Sequence, residues 1–533
     1  MGAFADRAIV GARVRTLDPE RPWASAVAMR DGLIVAVGDD AAVRAVCDAA
    51  TELVDGSGMV VTPGLVDAHQ HPFAGTEATL GVDLGGARDL GELRALLAAE
   101  RARVGDGAWI RGHQLHREPF GDEQPAVAPL LAAIGDAPMV LLFSDGHTAL
   151  ASVPALAAAG IDAPRVFDDG SEVVGRDGVV TGLVRELAAL GTVEAAIPKP
   201  PPHELRARYA ETFRRMNAAG LTGVHAMLGQ PALFDVCRAM EADDALTMRL
   251  VVPLWQEPGS GEEARRAQLP LRGARGRLWR GGVVKFFLDG VVESGTAWLR
   301  EPDAAGGGTE PAWPLDEYRR SVALFAAAGF QCATHAIGDG AVEGALDAYR
   351  DAGAAPGVRH RIEHAKLVPD ELLGRFAAED VVASMQIPLL SFVRADGEDG
   401  FTRAIGRARV ATSFRTADLR RSGAIVPLGS DWEVASFDPR VGMAWARLRH
   451  APGAPDDAAI GREQALDGLA ALEGYTVETA RAVGEEAAAG RIAPGLRADL
   501  TAFADDPVTC DPNALPELPV TLTVVDGRIV HRA

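Results

Sequence analysis

From about residue 63 to about 480, apolar runs of β type alternate with Ala-, Leu- and Arg-rich stretches of helical spacing. Strand-like runs cover 139–143, 223–227, 331–335, 359–364, 381–386 and 424–430, and helical stretches cover 205–219, 314–328, 341–352 and 370–378. Alternation of this kind predicts parallel strands joined by crossover helices. The expected fold class is therefore α/β, a (β/α)8 TIM barrel over residues 63–484. One such barrel takes ~250 residues, so the span carries an insertion. It is placed at about 75–200, where Gly, Asp and Ala are dense. The two ends of the chain read differently. Residues 1–62 and 485–533 hold short strands and two Asp-Gly turns, Asp31-Gly32 and Asp526-Gly527, each between apolar runs, which is a hairpin signal. Neither end has enough strands to bury a face alone. Both ends together are expected to build one small composite β-sandwich domain.

Within the alternating region, several strands end in metal-ligand residue types. The stretch Thr62-Pro63-Gly64-Leu65-Val66-Asp67-Ala68-His69-Gln70-His71 is a turn followed by an apolar strand ending in two histidines. Residues two apart on a strand face the same side, so Asp67, His69 and His71 are expected to share a face. The two imidazoles then make a ready ligand pair for a divalent ion. Lys285 interrupts the apolar run 282–288, and a buried lysine is costly unless it is paired, for instance with Asp289, or chemically changed. Further runs end in His335, in His364 and in Asp431. Polar ligand types thus recur where barrel strands emerge, the face that holds active sites in this architecture. His147, after a strand, and His225, at a strand end, are candidates for the same pocket. His113 and His116 read as loop residues, and His203, His450 and His531 as surface residues.

The net charge of −21 argues against nucleic acid or anionic membranes as partners, because a phosphate-binding surface needs excess Lys and Arg. The four cysteines, Cys47, Cys237, Cys332 and Cys510, are far apart and suggest neither a disulfide framework nor a thiolate cluster. There is no basic start followed by an apolar run, and no stretch approaches the ~18 apolar residues of a membrane span. A cytoplasmic protein is expected. Gly-x-Ser-x-Gly, phosphate-loop and dinucleotide fingerprints are missing, which sets serine hydrolases and nucleotide-dependent enzymes aside.

The ordered set of motifs resembles the amidohydrolase superfamily, in particular its YtcJ-like "amidohydrolase 3" branch, which includes N-substituted formamide deformylases. The resemblance runs from Arg30-Asp31-Gly32-Leu33-Ile34-Val35-Ala36-Val37-Gly38 through the Pro63-to-His71 motif and Asp145-Gly146-His147. It continues through the Lys285 strand, His335-Ala336-Ile337-Gly338-Asp339, Arg361-Ile362-Glu363-His364 and Gly429-Ser430-Asp431, and closes with 490–500. It implies a metal-dependent barrel in which His69 and His71 bind one ion and His335 and His364 a second. Lys285, carboxylated on its amine, would bridge the two. Asp431 would ligate a metal and act as the catalytic proton carrier. Zinc is the default metal for such ligands, one or two ions. The implied activity is hydrolysis of a non-peptide carbon–nitrogen bond (amide, formamide or cyclic amide) by a metal-activated hydroxide. The alternatives are a deaminase on the same fold or a non-catalytic regulatory barrel protein. The substrate would be a small molecule, with His147, His225, Asp289 and Trp432 in the substrate pocket. Members of the family are often dimeric, so a homodimer is among the expectations. The chain departs from the branch at Asp289-Gly290-Val291, His225-Ala226 and Gly112-His113, which are pocket positions and not ligands.

Overall fold

Seven parallel strands follow one another around a single sheet in chain order: Leu65–Gln70, Leu221–Ala226, Arg249–Trp255, Trp279–Phe287, Gln331–Ala336, Arg361–His364 and Val382–Ser384. Four of them, Leu221–Ala226, Gln331–Ala336, Arg361–His364 and Val382–Ser384, are buried at every residue, as expected of strands covered on both faces. The crossover helices supply the outer cover. Leu315–Ala327 buries Tyr318, Val322 and Phe325, and Asp370–Ala378 buries Leu372 and Phe376, the three- and four-residue spacing of one helical stripe. This is a computed structural model, and it describes residues 4–121, 123–144, 148–167 and 171–533. His147 lies outside the described residues.

The eighth position is filled irregularly. Residues 424–430, expected to be a strand, form no regular ladder, and Pro427 in their midst has no N–H to give one. They still bridge the open edges of the sheet. On one side Ala383 N donates to Ile425 O, Met385 N to Pro427 O and Gly429 N to Met385 O, each at 3.0 Å. On the other, Ala68 N donates to Leu428 O at 3.0 Å and Asp431 N to His69 O at 2.8 Å. The result is a TIM-like barrel.

Two smaller sheets come from the chain ends. One has the order Leu33–Gly38, Ala26–Arg30, Arg7–Val10, Glu52–Asp55; the other runs Arg528–Arg532, Val520–Val525, Leu500–Phe503, Val60–Pro63, Arg13–Arg15, Trp23–Ala24. Ile9, Val27 and Met29 of the first share a core with Val61, Leu500, Leu522 and Val524 of the second. The Asp31-Gly32 and Asp526-Gly527 turns have positive φ at both residues, the geometry of a two-residue hairpin that follows strand twist.

The chain divides into two compact units, Met1–Pro72 with Tyr209–Ala533, and Phe73–Arg208. The second unit has its own seven-stranded sheet and its own apolar cores. The run at 139–143, grouped above with the barrel strands, belongs there. It pairs in parallel with Ile110–Leu115 and antiparallel with Thr148–Ala151. His113 likewise sits in a strand of that sheet and not in a loop. Among the described residues, no helix is long and apolar enough to cross a membrane.

Candidate metal centre

At the C-terminal ends of the barrel strands, one donor atom each from His69, His364 and Asp431 lie within 4.8 Å of one another, and all three residues are buried. Asp431 Oδ1 is 3.1 Å from His69 Nε2 and 3.1 Å from His71 Nε2. The His364 ring lies 4.7 Å from that of His69 and 4.4 Å from that of His335, centre to centre. Lys285 is 2% exposed, and its Nζ has no hydrogen-bond partner. Its charge is felt by His71, His335 and His364, which sets it among them. The six residues expected as ligands therefore converge on one place.

Backbone geometry explains how they do so. His364 and Asp431 both adopt the left-handed conformation, with φ of 72° and 63°, at a cost of about 1–2 kcal/mol each for residues with a Cβ. The twist at His364 breaks the two-residue alternation of its strand, so consecutive residues Glu363 and His364 both reach the His69 side. Gly429 allows the closing segment to approach the first strand. A Cβ there would stand 2.6 Å from His69 N and 2.9 Å from Asp67 Oδ1. Asp67, expected to share the face of His69 and His71, instead spends its carboxylate on the N–H of His69 at 3.0 Å, of Ser430 at 3.1 Å and Gln70 Nε2 at 2.8 Å. It ties the first strand to the closing segment.

The protonation states suit a cation. Burial, followed by the charge of His335, pushes His364 well below the usual imidazole range, and burial also lowers His335. These rings stay neutral at pH 7 and keep the lone pair that a metal needs. Burial alone would raise Asp431, but the surrounding histidines hold it well below the usual carboxylate range. Burial takes the Lys285 amine down from 10.5 to about 8. His71 Nδ1, His364 Nδ1 and Lys285 Nζ are buried without hydrogen-bond partners, and such groups are expensive to leave unmatched. The neutral imidazoles of His335 and His364, one with an unpartnered Nδ1, and the ionised Asp431 carboxylate form a donor set fit for a divalent cation.

Two residues to which the sequence reading gave no role stand directly behind the ligands. Glu363 is fully buried and accepts a 2.7 Å hydrogen bond from His69 Nδ1. That bond fixes the ring with Nε2 toward Asp431, the usual way a carboxylate orients a metal-binding histidine. Arg361, also fully buried, pairs with Glu363 and donates to Ala68 O at 2.8 Å and Ser384 Oγ at 3.0 Å. Burial would raise Glu363, but Arg361, and after it His69, hold it ionised. The signal was present in the motif, since Arg361 and Glu363 are two apart on one strand and so share a face. Glu363→Gln is expected to weaken divalent-metal affinity ~10–100-fold and to cost a few kcal/mol of stability by leaving Arg361 unpaired. Competition against a chelator, alongside a thermal melt, measures both; unchanged affinity would remove Glu363 from the orienting role.

The expected substrate residues have other surroundings. Asp289 is fully buried and accepts from His335 Nδ1 at 3.2 Å, Gly338 N at 2.8 Å and Trp298 N at 3.0 Å. Its carboxylate supports His335 and the turn that follows it. It also does not pair with Lys285. His225 is buried, with Nδ1 3.2 Å from Arg361 Nη1, so it abuts the Arg361–Glu363 pair. Trp432 is buried edge-on against Phe437 at 5.6 Å, and its carbonyl accepts from His71 N at 2.7 Å. His450, read as a surface residue, is buried, its Nδ1 2.8 Å from Ala451 O.

A parallel barrel closed by an irregular eighth segment, with histidines, a lysine and an aspartate gathered at its strand ends, defines the class of barrel proteins built around a metal-type site. The Amidohydrolase family profile matches residues 52–531, and the chain belongs to that family. It falls in the YtcJ-like branch. It is 26% identical to the YtcJ protein of Bacillus subtilis (strain 168), covering 98% of each chain. It is 28% identical to an N-substituted formamide deformylase of Arthrobacter pascens, covering 99% of this chain and 98% of that one. Among solved structures, an uncharacterized metal-dependent hydrolase from Pyrococcus horikoshii OT3 superposes with a TM-score of 0.77 at 24% identity, over 95% of this chain and 99% of the other. That likeness is one of fold.

Proposed function

We propose that this protein is a metal-dependent hydrolase of a non-peptide carbon–nitrogen bond in a small molecule, with amides, formamides or cyclic amides as the substrate class. The convergence of His69, His364 and Asp431 donor atoms beside the unpartnered Lys285 amine carries the reading. Family membership and the formamide deformylase relative support the bond type. His69, His71, His335, His364 and Asp431 would hold the metal, zinc by the chemistry of these donors. Lys285, if its neutral amine took up carbon dioxide and released a proton, would add a carboxylate to this ligand set. A divalent ion held by these residues would supply Lewis acidity, polarising a substrate carbonyl and lowering the pKa of water toward neutrality.

The chain's own residues do the rest. Asp431 accepts the proton lost by the attacking water and returns it to the nitrogen as the carbon–nitrogen bond breaks. Glu363 holds His69 in one tautomer through these steps, and Asp289 does the same for His335. Burial of the cluster keeps bulk water from competing for these contacts. In the same reading, residues 63–484 form the barrel with its insertion, and 1–62 with 485–533 form the composite β domain.

Elemental analysis of protein purified without chelators, followed by assays on a panel of formamides and N-acyl amines, tests the proposal. One or two zinc-like ions per chain are expected, with turnover lost on chelation and restored by metal. A protein that holds no metal and takes up none on reconstitution would overturn it. Turnover of amino-substituted heterocycles added to the panel, with release of ammonia and no acid, would move the assignment to deamination.

A further inference from the structure

The barrel's opposite end carries a second concave feature that the proposed reaction does not use. A cavity of about 280 Å³ opens where the strands begin, lined by Thr222, Arg249, Trp279 and Arg280 at the starts of three strands. A second cavity of about 440 Å³ adjoins it, sharing Arg275, Arg280 and Val483. The chain as a whole is acidic, at −21, yet this region is the reverse. The lining of the first cavity contains six arginines against two carboxylates, Glu485 and Asp499. That of the second contains four arginines and no carboxylate, with six glycines among its fifteen residues.

Several of these arginines are already matched. Arg249 pairs with Asp499 and Asp526, Arg277 with Asp526, and Arg280 and Arg497 with Glu485. Three are not. Arg275 and Arg491 have no side-chain hydrogen bond or ion pair among the described residues, and Arg272 gives only its Nε, to Gly329 O at 2.7 Å. Arg272 and Arg275 line one cavity, Arg275 and Arg491 the other. Their planar forks suit bidentate pairing with phosphate oxygens. The wall of the second cavity, with arginines and no carboxylate in its lining, is of one sign, and a concave wall of one sign focuses its field on the space it encloses.

We propose that the N-terminal mouth of the barrel is a binding site for a phosphate-bearing small molecule, held chiefly by Arg272, Arg275 and Arg491. The site lies at the far ends of the strands from the metal-type cluster, and it stands whether or not the hydrolase reading holds. The ligand class follows from the donors: a compact dianion or polyanion, since two cavities sharing Arg275 offer more charge than one carboxylate can use.

Calorimetric titration of the purified protein with inorganic pyrophosphate, at near-physiological ionic strength, tests this. Saturable binding at one site per chain is expected. Arg275→Gln, and the pair Arg272→Gln with Arg491→Gln, should each weaken it roughly tenfold or more, because a charge-assisted hydrogen bond is worth about 1.5–3 kcal/mol. These side chains are exposed and form no ion pair among the described residues, and Arg272 gives up only its bond to Gly329 O, so the variants should melt close to the parent and carry the same metal content. Absence of saturable binding overturns the proposal. So does binding that survives in the arginine variants but disappears when metal is stripped, since that pyrophosphate would be sitting at the metal centre.

Discussion

Asp431→Asn is expected to lower turnover by at least ~10²–10⁴-fold, the range of a lost general acid–base group, while the melting temperature stays close to that of the parent. The substitution keeps the shape of the side chain and one acceptor oxygen, so the contacts with His69 Nε2 and His71 Nε2, each 3.1 Å from Oδ1, retain a partner. The backbone that carries it is held independently: Asp431 N donates to His69 O at 2.8 Å, and its own carbonyl accepts from Val434 N at 2.8 Å. What is lost is the negative charge that the histidines stabilise against burial, and with it the capacity to take a proton. Metal content, turnover and a melt on the same preparation separate the outcomes. Metal retained with turnover gone assigns Asp431 to proton transfer. Metal lost as well makes it chiefly a ligand. Full activity in the variant would remove it from the chemistry.

The barrel was legible because its parallel strands are largely buried on both faces and so write apolar-rich runs into the sequence, as Val283–Phe287 does apart from Lys285. The same rule misled at 139–143. An internal strand of a mixed sheet is just as apolar, and only pairing partners distinguish the two. The eighth segment reads as a strand because its residues are apolar, but Pro427 and the approach of Gly429 to His69 make it irregular.

The site divides along similar lines. Ligand types at strand ends could be read one strand at a time, since strand polarity puts their C-terminal ends at one mouth of the barrel. The supporting residues could not, because their roles depend on neighbours far away in sequence. Glu363 matters through His69, 294 positions earlier, and Asp289 through His335 and the turn after it. A backbone with positive φ at His364 overrides the alternation that any sequence reading must assume. Asp289 reads as a pocket residue from its motif, and what no sequence shows is its full burial and the donors from His335 and Gly338 that its carboxylate accepts.

Lys285→Met is expected to stabilise the metal-free protein at pH 7 while reducing the metal it can hold, two effects of opposite sign from one side chain. The Lys285 amine is buried, unpartnered and lowered from 10.5 to about 8 by burial. Below pH 8 both folded and unfolded chains carry the proton, and the folded state bears the whole cost of enclosing it, about 3 kcal/mol for a shift of this size. Between pH 8 and 10.5 the unfolded chain binds more protons than the folded one, so the stability of the parent rises with pH across that window. Methionine has similar length and no charge. The variant should gain up to about 3 kcal/mol at pH 7 and should lack the rise above pH 8. If, as proposed, that amine is carboxylated when metal is bound, its charge is negative in the loaded parent, so loading should reverse the ranking and leave the variant with less metal per chain. Melts of both proteins from pH 7 to 10, with and without metal, read all of this. A variant less stable than its parent at pH 7 without metal would mean that Lys285 has a partner in the folded protein, and the reading of its amine as the acceptor of carbon dioxide would fall.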